Sequence, residues 1–399
     1  MMLQPAFTIA SVQRELIEIL DWWMAHAPDY EQGGFIGRMD GQGKIYPEAE
    51  KGIILNTRIL WTFSAAARRM SHPEYRRMAD RAFDYLLRFF WDREEGGFFW
   101  TLDHRGLPHD TKKQVYAQAF AIYSLSEYYL LSQKEEAINK ALETFALLER
   151  FSRDREKAGY LEAYSRDWYL LEDLRLSEKD ANEAKTMNTH LHVLEAYTNL
   201  LRAKPADKQV KEALKGLVEL FFTKFIAPES AAMHLFFDAD WQVKSHEISF
   251  GHDIECSWLL TEASEVLGEN KLIEQSRQMA VKMAAAVLEK GFDQDGSILN
   301  EADQNGLTDT DKHWWPQAEG LVGFLNAWHI SGETHFYDAA ALLWQFIGKY
   351  LKDPVLGEWY WRVNREGEPI TTEDKVSQWK CPYHNGRACM EVMQRMPVG

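Results

Sequence analysis

The chain has 399 residues, 46% of them hydrophobic and 27% charged, the profile of a globular protein and not of a disordered or collagen-like one. Its 45 lysines and arginines against 61 acidic residues give a formal net charge of −16, which repels phosphate backbones and anionic lipid and excludes nucleic acid and membrane surfaces as expected partners. No apolar run approaches the ~18 residues of a membrane span. The N-terminal stretch MMLQPAFTIASVQREL lacks a basic-then-apolar signal profile, and three cysteines (Cys256, Cys381, Cys389) are too few for a disulfide framework, so the cytosol is the expected compartment.

Residues 11–27 read as an amphipathic helix with one wet side. A Gly- and aromatic-containing stretch at 33–45 then alternates like a hairpin, and 57–70 (TRILWTFSAAARRM) is apolar almost all round, the pattern of a buried helix. The same triplet of wet helix, hairpin and buried helix recurs at 73–91, 96–106 and 114–132, then at 134–152, 159–168 and 188–203. It continues at 207–223, 234–244 and 253–267, at 270–290, 291–299 and 316–330, and at 333–351, 357–367 and 385–396. In 207–223, Val210, Ala213, Leu214, Leu217 and Phe221 share one face, and Pro73 and Asn270 are expected helix starts. The hairpin anchors Phe35, Phe98, Tyr160, Phe236, Phe292 and Trp359 lie 63, 62, 76, 56 and 67 residues apart. Repeats of this kind form either an open solenoid or a closed ring. Six buried helices alternating with six amphipathic ones predict an all-α (α/α)6 barrel, inner ring within outer ring, with short hairpin-like connections. No linker or composition break divides the chain, so 1–399 reads as one domain.

Inner helices should be apolar, and the polar residues at their starts are therefore informative. In chain order these are Asn56, Arg58 and Trp61; Tyr116; Asn188 and His192; His252 and Glu255; Trp314, Trp315 and Glu319; and His384 and Arg387. In a ring of helices all of them converge on one mouth. His252 and Glu255 stand three apart on one helical face, where a carboxylate can hold an imidazole in one tautomer and raise its pKa; a satisfied core histidine is the alternative. His190 and His192, two apart, face roughly opposite ways and cannot form a ligand pair on one helix. With no HExxH and no Cys/His cluster, no metal site is expected. His192 shares its face with Asn188 and Glu195, while His190 reads as structural.

His384 follows Pro382 at the head of the last helix, where the positive dipole end favours a neutral, basic imidazole, with Arg387 one turn on; a capping or packing role is the alternative. Arg58 on a buried helix must be neutralised, by a carboxylate such as Glu319 or by substrate. Trp314, Trp315 and Trp379 beside these polar groups suit a stacking platform, with core packing as the alternative. The chain is rich in rings (15 Trp, 16 Tyr and 21 Phe), and an aromatic-lined cleft fits ligands that alternate CH faces with hydroxyls, as sugars do. The cysteines read as small buried hydrophobes. No GxGxxG, Walker-type or GxSxG motif occurs, so no cofactor and no serine nucleophile are expected.

Separated histidines, an arginine and no redox motif point to proton transfer on carbon. Imidazoles take and return protons near neutral pH, and an enediolate formed next to a carbonyl needs donors to stabilise its charge. Two bases on opposite faces of a sugar C2 make a 2-epimerase. An aldose–ketose isomerase would return the proton to C1 instead. A sugar hydrolase would need two carboxylates flanking the bond, from Asp253, Glu255 and Glu319, and would leave the histidines without a task. A non-catalytic sugar-binding protein would explain the tryptophans alone.

Five blocks carry a resemblance: NTRILWTFSAA (56–66), MNTHLHVLEAYTNL (187–200), GHDIECSWLL (251–260), KHWWPQAEGLVGF (312–324) and WKCPYHNGRACMEV (379–392). Together, in this order, they resemble the cellobiose and mannobiose 2-epimerase branch of the N-acylglucosamine 2-epimerase superfamily. The YHNGR block favours the disaccharide branch over the N-acylglucosamine enzymes. The resemblance implies an (α/α)6 barrel that interconverts reducing-end glucose and mannose of β-1,4-linked disaccharides without a cofactor. It implies that His252 and His384 are the acid–base pair at C2, that Glu255 supports His252, and that Arg58, Tyr116, Asn188 and His192 surround the reducing-end sugar. It assigns Trp315 and Trp379 to stacking, with Trp258 and Glu319 shaping the pocket. The only expected partner is the disaccharide, and a monomer is the expected state.

Overall fold

The structure, a computed structural model, describes residues 6–396; the first five residues of the N-terminal stretch read above lie outside the described residues. Its helices alternate as the periodicity predicts. The inner set is α2 (Ile53–Met70), α4 (Val115–Ser132), α6 (Met187–Ala203), α8 (Phe250–Leu267), α10 (Trp314–Ser331) and α12 (Tyr383–Arg395). The outer set is α1 (Ile9–His26), α3 (Pro73–Tyr85), α5 (Glu135–Leu147), α7 (Lys208–Leu220), α9 (Asn270–Lys290) and α11 (Thr334–Phe346), with Pro73 and Asn270 as the starts expected. Each inner helix packs on the next and α12 packs back on α2, closing the ring, while the outer helices lean against it. The chain folds as an (α/α)6 barrel. The inner helices are buried through most of their length because their apolar residues leave no wet face, as in α2 from Ile53 to Ala67.

Four outer helices end in one wider turn, at Leu86–Phe90, Leu148–Ser152, Phe221–Phe225 and Ile347–Leu351, which turns the chain toward its hairpin. Short antiparallel pairs then stitch each repeat to the next: 51–52 with 101–102, 113–114 with 163–164, 185–186 with 236–237, 248–249 with 301–302, and 312–313 with 362–363. A bridge between Met39 and Val376 closes the circle.

The fourth residue of four inner helices grips the hairpin anchor. Gln118 accepts from Phe98 N at 2.8 Å, His190 Nε2 from Tyr160 N at 2.9 Å, Asp253 from Met233 N at 2.9 Å and Gln317 from Ile298 N at 2.7 Å. The anchors of the fourth and fifth repeats are therefore Met233 and Ile298, not Phe236 and Phe292. Phe236 instead belongs to the strand paired with Thr186. Burial, not aromaticity, is the shared property. Gly159 makes the His190 contact possible: at φ +82° a Cβ there would lie 2.8 Å from His190 Nε2.

A second repeated device is ionic. Buried Lys51, Lys113, Lys185, Lys312 and Lys375 pair with Asp29 (2.7 Å), Asp92 (3.0 Å), Asp154 (2.7 Å), Asp293 (3.2 Å) and Asp353 (2.8 Å), just after the outer helices. In the fourth repeat both partners are apolar: Ile248 stands at the lysine position and Ala227 at the aspartate position. A buried charge without its partner is strongly destabilising, so the two are lost together.

At the far end of the ring, Arg68–Glu127 (2.8 Å), Arg69–Glu391 (2.8 Å) and Arg202–Glu262 (2.6 Å) place cations at inner-helix C-termini, where the helix dipoles favour them. No helix among the described residues is long and apolar enough to cross a membrane.

Candidate active site

Most of the polar residues singled out at the inner-helix starts meet inside the N-terminal end of the ring, while the buried Asn56 bonds back to the Gly52 carbonyl at 2.8 Å. His252, in the first turn of α8, bonds through Nδ1 to Ser249 Oγ at 2.8 Å. The indole of Trp315 lies between His252 and His384, with ring centroids 4.6 and 5.8 Å away. It gets there because residue 251 is glycine: a Cβ would come within 2.4 Å of the indole. His384 Nδ1 lies 2.6 Å from Glu319 Oε1, and His192 Nδ1 lies 2.9 Å from Glu195 Oε2. The Nε2 atoms of all three imidazoles make no hydrogen bond among the described residues.

The expected pairing of Glu255 with His252 does not form. Glu255 Oε1 instead accepts from Arg387 Nη2 at 2.6 Å. An i, i+3 spacing puts the two side chains on one face, but a buried guanidinium outcompetes an imidazole for the carboxylate, and the hydroxyl of Ser249 is nearer to His252. The same His-x-x-Glu spacing at 192 and 195 does pair, so the sequence signal was sound in one helix and not in the other. Of the two partners expected for Arg58, a carboxylate such as Glu319 or the substrate, the carboxylate does not pair with it among the described residues. Arg58 has no carboxylate among its hydrogen-bond partners: Nη2 donates to the Tyr116 hydroxyl at 2.8 Å and Nη1 to the Trp379 carbonyl at 3.4 Å. Its guanidinium lies 4.4 Å from the Phe120 ring centroid.

Trp379 is half-buried, 5.9 Å from Tyr116 and 6.1 Å from Trp100 between centroids, and Asn188 is half-buried with an unpartnered buried Oδ1. Trp258 and Glu319 act from beneath: both are buried, and Trp258 Nε1 donates to Glu319 Oε2 at 3.1 Å. His190 points away from the mouth, held by Tyr160 N and the Thr186 carbonyl. Tyr383, whose hydroxyl donates to Glu195, was not legible as a site residue, because a buried tyrosine in an aromatic-rich sequence carries no distinguishing mark.

The electrostatics leave the imidazoles neutral. Burial and the neighbouring His192 push His252 down to about 3. Burial, Arg58 and Arg387 hold His384 well below the ordinary histidine value. His192 is lowered by burial and by the two arginines, against the pull of Glu195. Against burial, Arg387 and His192 hold Glu195 down to about 2, while burial and the adjacent Glu319 push Glu255 well up. Glu255, Glu319 and His384 bring ligand atoms within 4.8 Å of one another, a spacing that a metal ion could use. The donor set argues otherwise: Arg387 already bridges Glu255 and Glu319 at 2.6 and 2.7 Å and supplies the cation.

Such a mouth, with neutral bases, an uncommitted arginine and half-buried indoles, can move protons on a polyhydroxylated ligand. The chain matches the N-acylglucosamine 2-epimerase (GlcNAc 2-epimerase) family over residues 34–388. It is 47% identical to a cellobiose 2-epimerase of Bacteroides fragilis over 384 residues, 96% of this chain and 97% of that one. It superposes on the structure of cellobiose 2-epimerase from Bacillus thermoamylovorans with a TM-score of 0.93 at 37% identity, covering 97% of this chain and 99% of that one. A D-mannose isomerase structure at 22% identity (TM-score 0.84, 99% of this chain and 100% of that one) shares the fold. The chain belongs to the N-acylglucosamine 2-epimerase family.

Proposed function

We propose that this enzyme is an isomerase that interconverts glucose and mannose at the reducing end of β-1,4-linked disaccharides, cellobiose and mannobiose among them, by moving the proton at C2 without a cofactor. One observation carries the reading: His252 and His384, from α8 and α12, flank Trp315 with Nε2 unengaged, beside a buried Arg58 that lacks a carboxylate partner. The relatives named cellobiose 2-epimerase support the substrate class.

The masked aldehyde must first be freed. One imidazole accepts the anomeric hydroxyl proton while a second group protonates the ring oxygen, and the C1–O bond to the ring breaks. His252 or His384 then removes the C2 proton. The electron pair moves onto the carbonyl oxygen, and Arg58, with Tyr116 on its Nη2, stabilises the enediolate charge. The other histidine delivers a proton to the opposite face of C2, and the ring closes by the reverse of its opening. His192 and Asn188 surround the reducing-end sugar, Glu255 and Glu319 shape the pocket beneath it through Arg387, and Trp315 and Trp379 stack on the sugar rings. The chain acts as one catalytic unit, a monomer in the cytosol; in support, every named residue except Trp379, which stands just before α12, comes from a single ring of helices, and the three cysteines are free and buried.

Incubation with cellobiose, β-1,4-mannobiose and N-acetylglucosamine, followed by product identification, tests the reading. A C2 epimer of the disaccharides is expected. A keto-disaccharide would make the enzyme an aldose–ketose isomerase, monosaccharides a hydrolase, and turnover of N-acetylglucosamine alone would place it in the other branch.

A further inference from the structure

We propose that Arg387 is a positioning residue that joins His192 and His384 into one electrostatic unit, holding through its guanidinium the two carboxylates, Glu195 and Glu319, that each fix one imidazole. The inference rests on the reading above, that these imidazoles act on the sugar.

Arg387 is 1% exposed, on α12, and carboxylates from three other helices converge on it. Nη1 donates to Glu195 of α6 and to the Tyr383 hydroxyl, and Nη2 donates to Glu255 of α8 at 2.6 Å and to Glu319 of α10 at 2.7 Å. The rings of Tyr383 and Trp258 sit 4.3 and 4.7 Å from its Cζ and clamp the guanidinium plane. A planar fork can serve three acceptors at once, whereas an ammonium is a point charge.

Glu255 and Glu319 share a single nitrogen of this one cation, and of two buried carboxylates sharing a site one holds a proton. The donor count selects it. Leaving the imidazoles aside, Glu195 receives the Tyr383 hydroxyl and Arg387, and Glu319 receives Trp258 Nε1 and Arg387. Among the described residues Glu255 receives Arg387 alone. Glu255 therefore keeps the proton, and Glu195 and Glu319 remain pure acceptors. Each then forces the Nδ1 it touches to be a donor, which leaves the lone pair of both imidazoles on Nε2. The titratable and charged groups facing His384 are Arg58 of α2, Arg387 of its own helix, His192 and Glu195 of α6 and Glu319 of α10; those facing His192 are Glu195, Arg58, Arg387, His252 and His384. Both arginines depress the imidazoles, so removing Arg387 raises them, and a higher pH is then needed to free the bases.

The full chain, ring-labelled with 15N-histidine, is compared with Arg387→Lys, Arg387→Gln, Glu195→Gln, Glu319→Gln and the double Gln variant, by pH profile on cellobiose and by imidazole NMR. In Arg387→Gln, kcat should fall about 10²-fold, the loss typical of a misplaced reacting group. Its acid limb should move up by about one pH unit or more, and both His192 and His384 should lose their single tautomer. Arg387→Lys keeps the limb but loses kcat. Because neutralising a glutamate removes a buried charge, the glutamine variants carry the test even where Arg387→Gln does not fold: as one unit, the double variant loses no more kcat than the worse single. Multiplying losses, or a folded Arg387→Gln with unchanged limb and tautomers, would overturn the proposal. If the wild type makes no epimer, the functional reading fails by itself, and the tautomer measurement still decides the role of Arg387.

Discussion

Three imidazoles meet in the mouth, and their chemistry differs through whatever holds Nδ1: a hydroxyl for His252, a carboxylate for His192 and for His384. A general base works only when neutral, and a lowered pKa extends that state to lower pH. With His252 at about 3 and His384 also depressed, the acid limb of kcat/KM should lie below pH 6, well under the ~6.5 of an ordinary histidine. Initial rates between pH 4 and 9 check this, and a limb at 6.5 or above contradicts it. His384→Asn keeps approximate size and removes the basic nitrogen, so kcat should drop by about 10²–10⁴-fold; near-parent turnover would make the residue structural and send the search for the second base to His192. Trp379→Ala and Trp315→Ala should raise KM by about fivefold or more, since a lost ring contact costs on the order of 1 kcal/mol. A collapse of Tm with unchanged KM would mean that these rings are core. At this scale the sequence told His192 from His190, because two residues on a helix turn the side chain to the other side. It did not tell which glutamate holds which histidine, because Arg387 arrives from a helix more than 130 residues away and rearranges the carboxylates.

The inner helices repeat one grip, and the fourth repeat departs from it chemically. Where Gln118 and Gln317 use a neutral amide, α8 uses Asp253, buried, with burial pushing its carboxyl up to about 8. A folded-state pKa raised above its usual 3.8 favours folding only at low pH, and that contribution is lost as pH rises toward 8. Asp253→Asn supplies the neutral donor–acceptor of its equivalents. It should therefore be more stable than the parent, by an excess that widens from pH 4 to 8 by up to about 1.4 kcal/mol per pH unit. Thermal melts across that range decide it, and a constant or inverted difference contradicts the account. The lysine–aspartate staples make a parallel case. Asp154→Ala alone strands the buried Lys185 and should cost about 3–5 kcal/mol, whereas the double variant with Lys185→Ile copies Ile248 and Ala227 and should cost less than Asp154→Ala. Equal or additive losses would show that the fourth repeat is no guide to the others. The staples were invisible in the sequence, because a lysine next to a polar residue reads as solvated. The wider turns were equally hidden, since the hydrophobic pattern runs through them unbroken.

The whole barrel was the most legible level. Six fully apolar segments have no solution on a surface, and six half-wet ones have no solution in a core, so alternation alone sorts them into two rings. Ring closure depends on Met39 meeting Val376, which no local pattern announces. With the far end filled by arginine–carboxylate pairs, the ring presents its bases, Arg58 and its indoles at one end only, and the account stands on what those groups do to C2. The direct measurement is turnover of cellobiose in heavy water with NMR of the product. Proton exchange through an enediolate predicts deuterium at C2 of the glucosyl-mannose formed. Full retention of the original hydrogen at C2 in an epimer that has accumulated would contradict it.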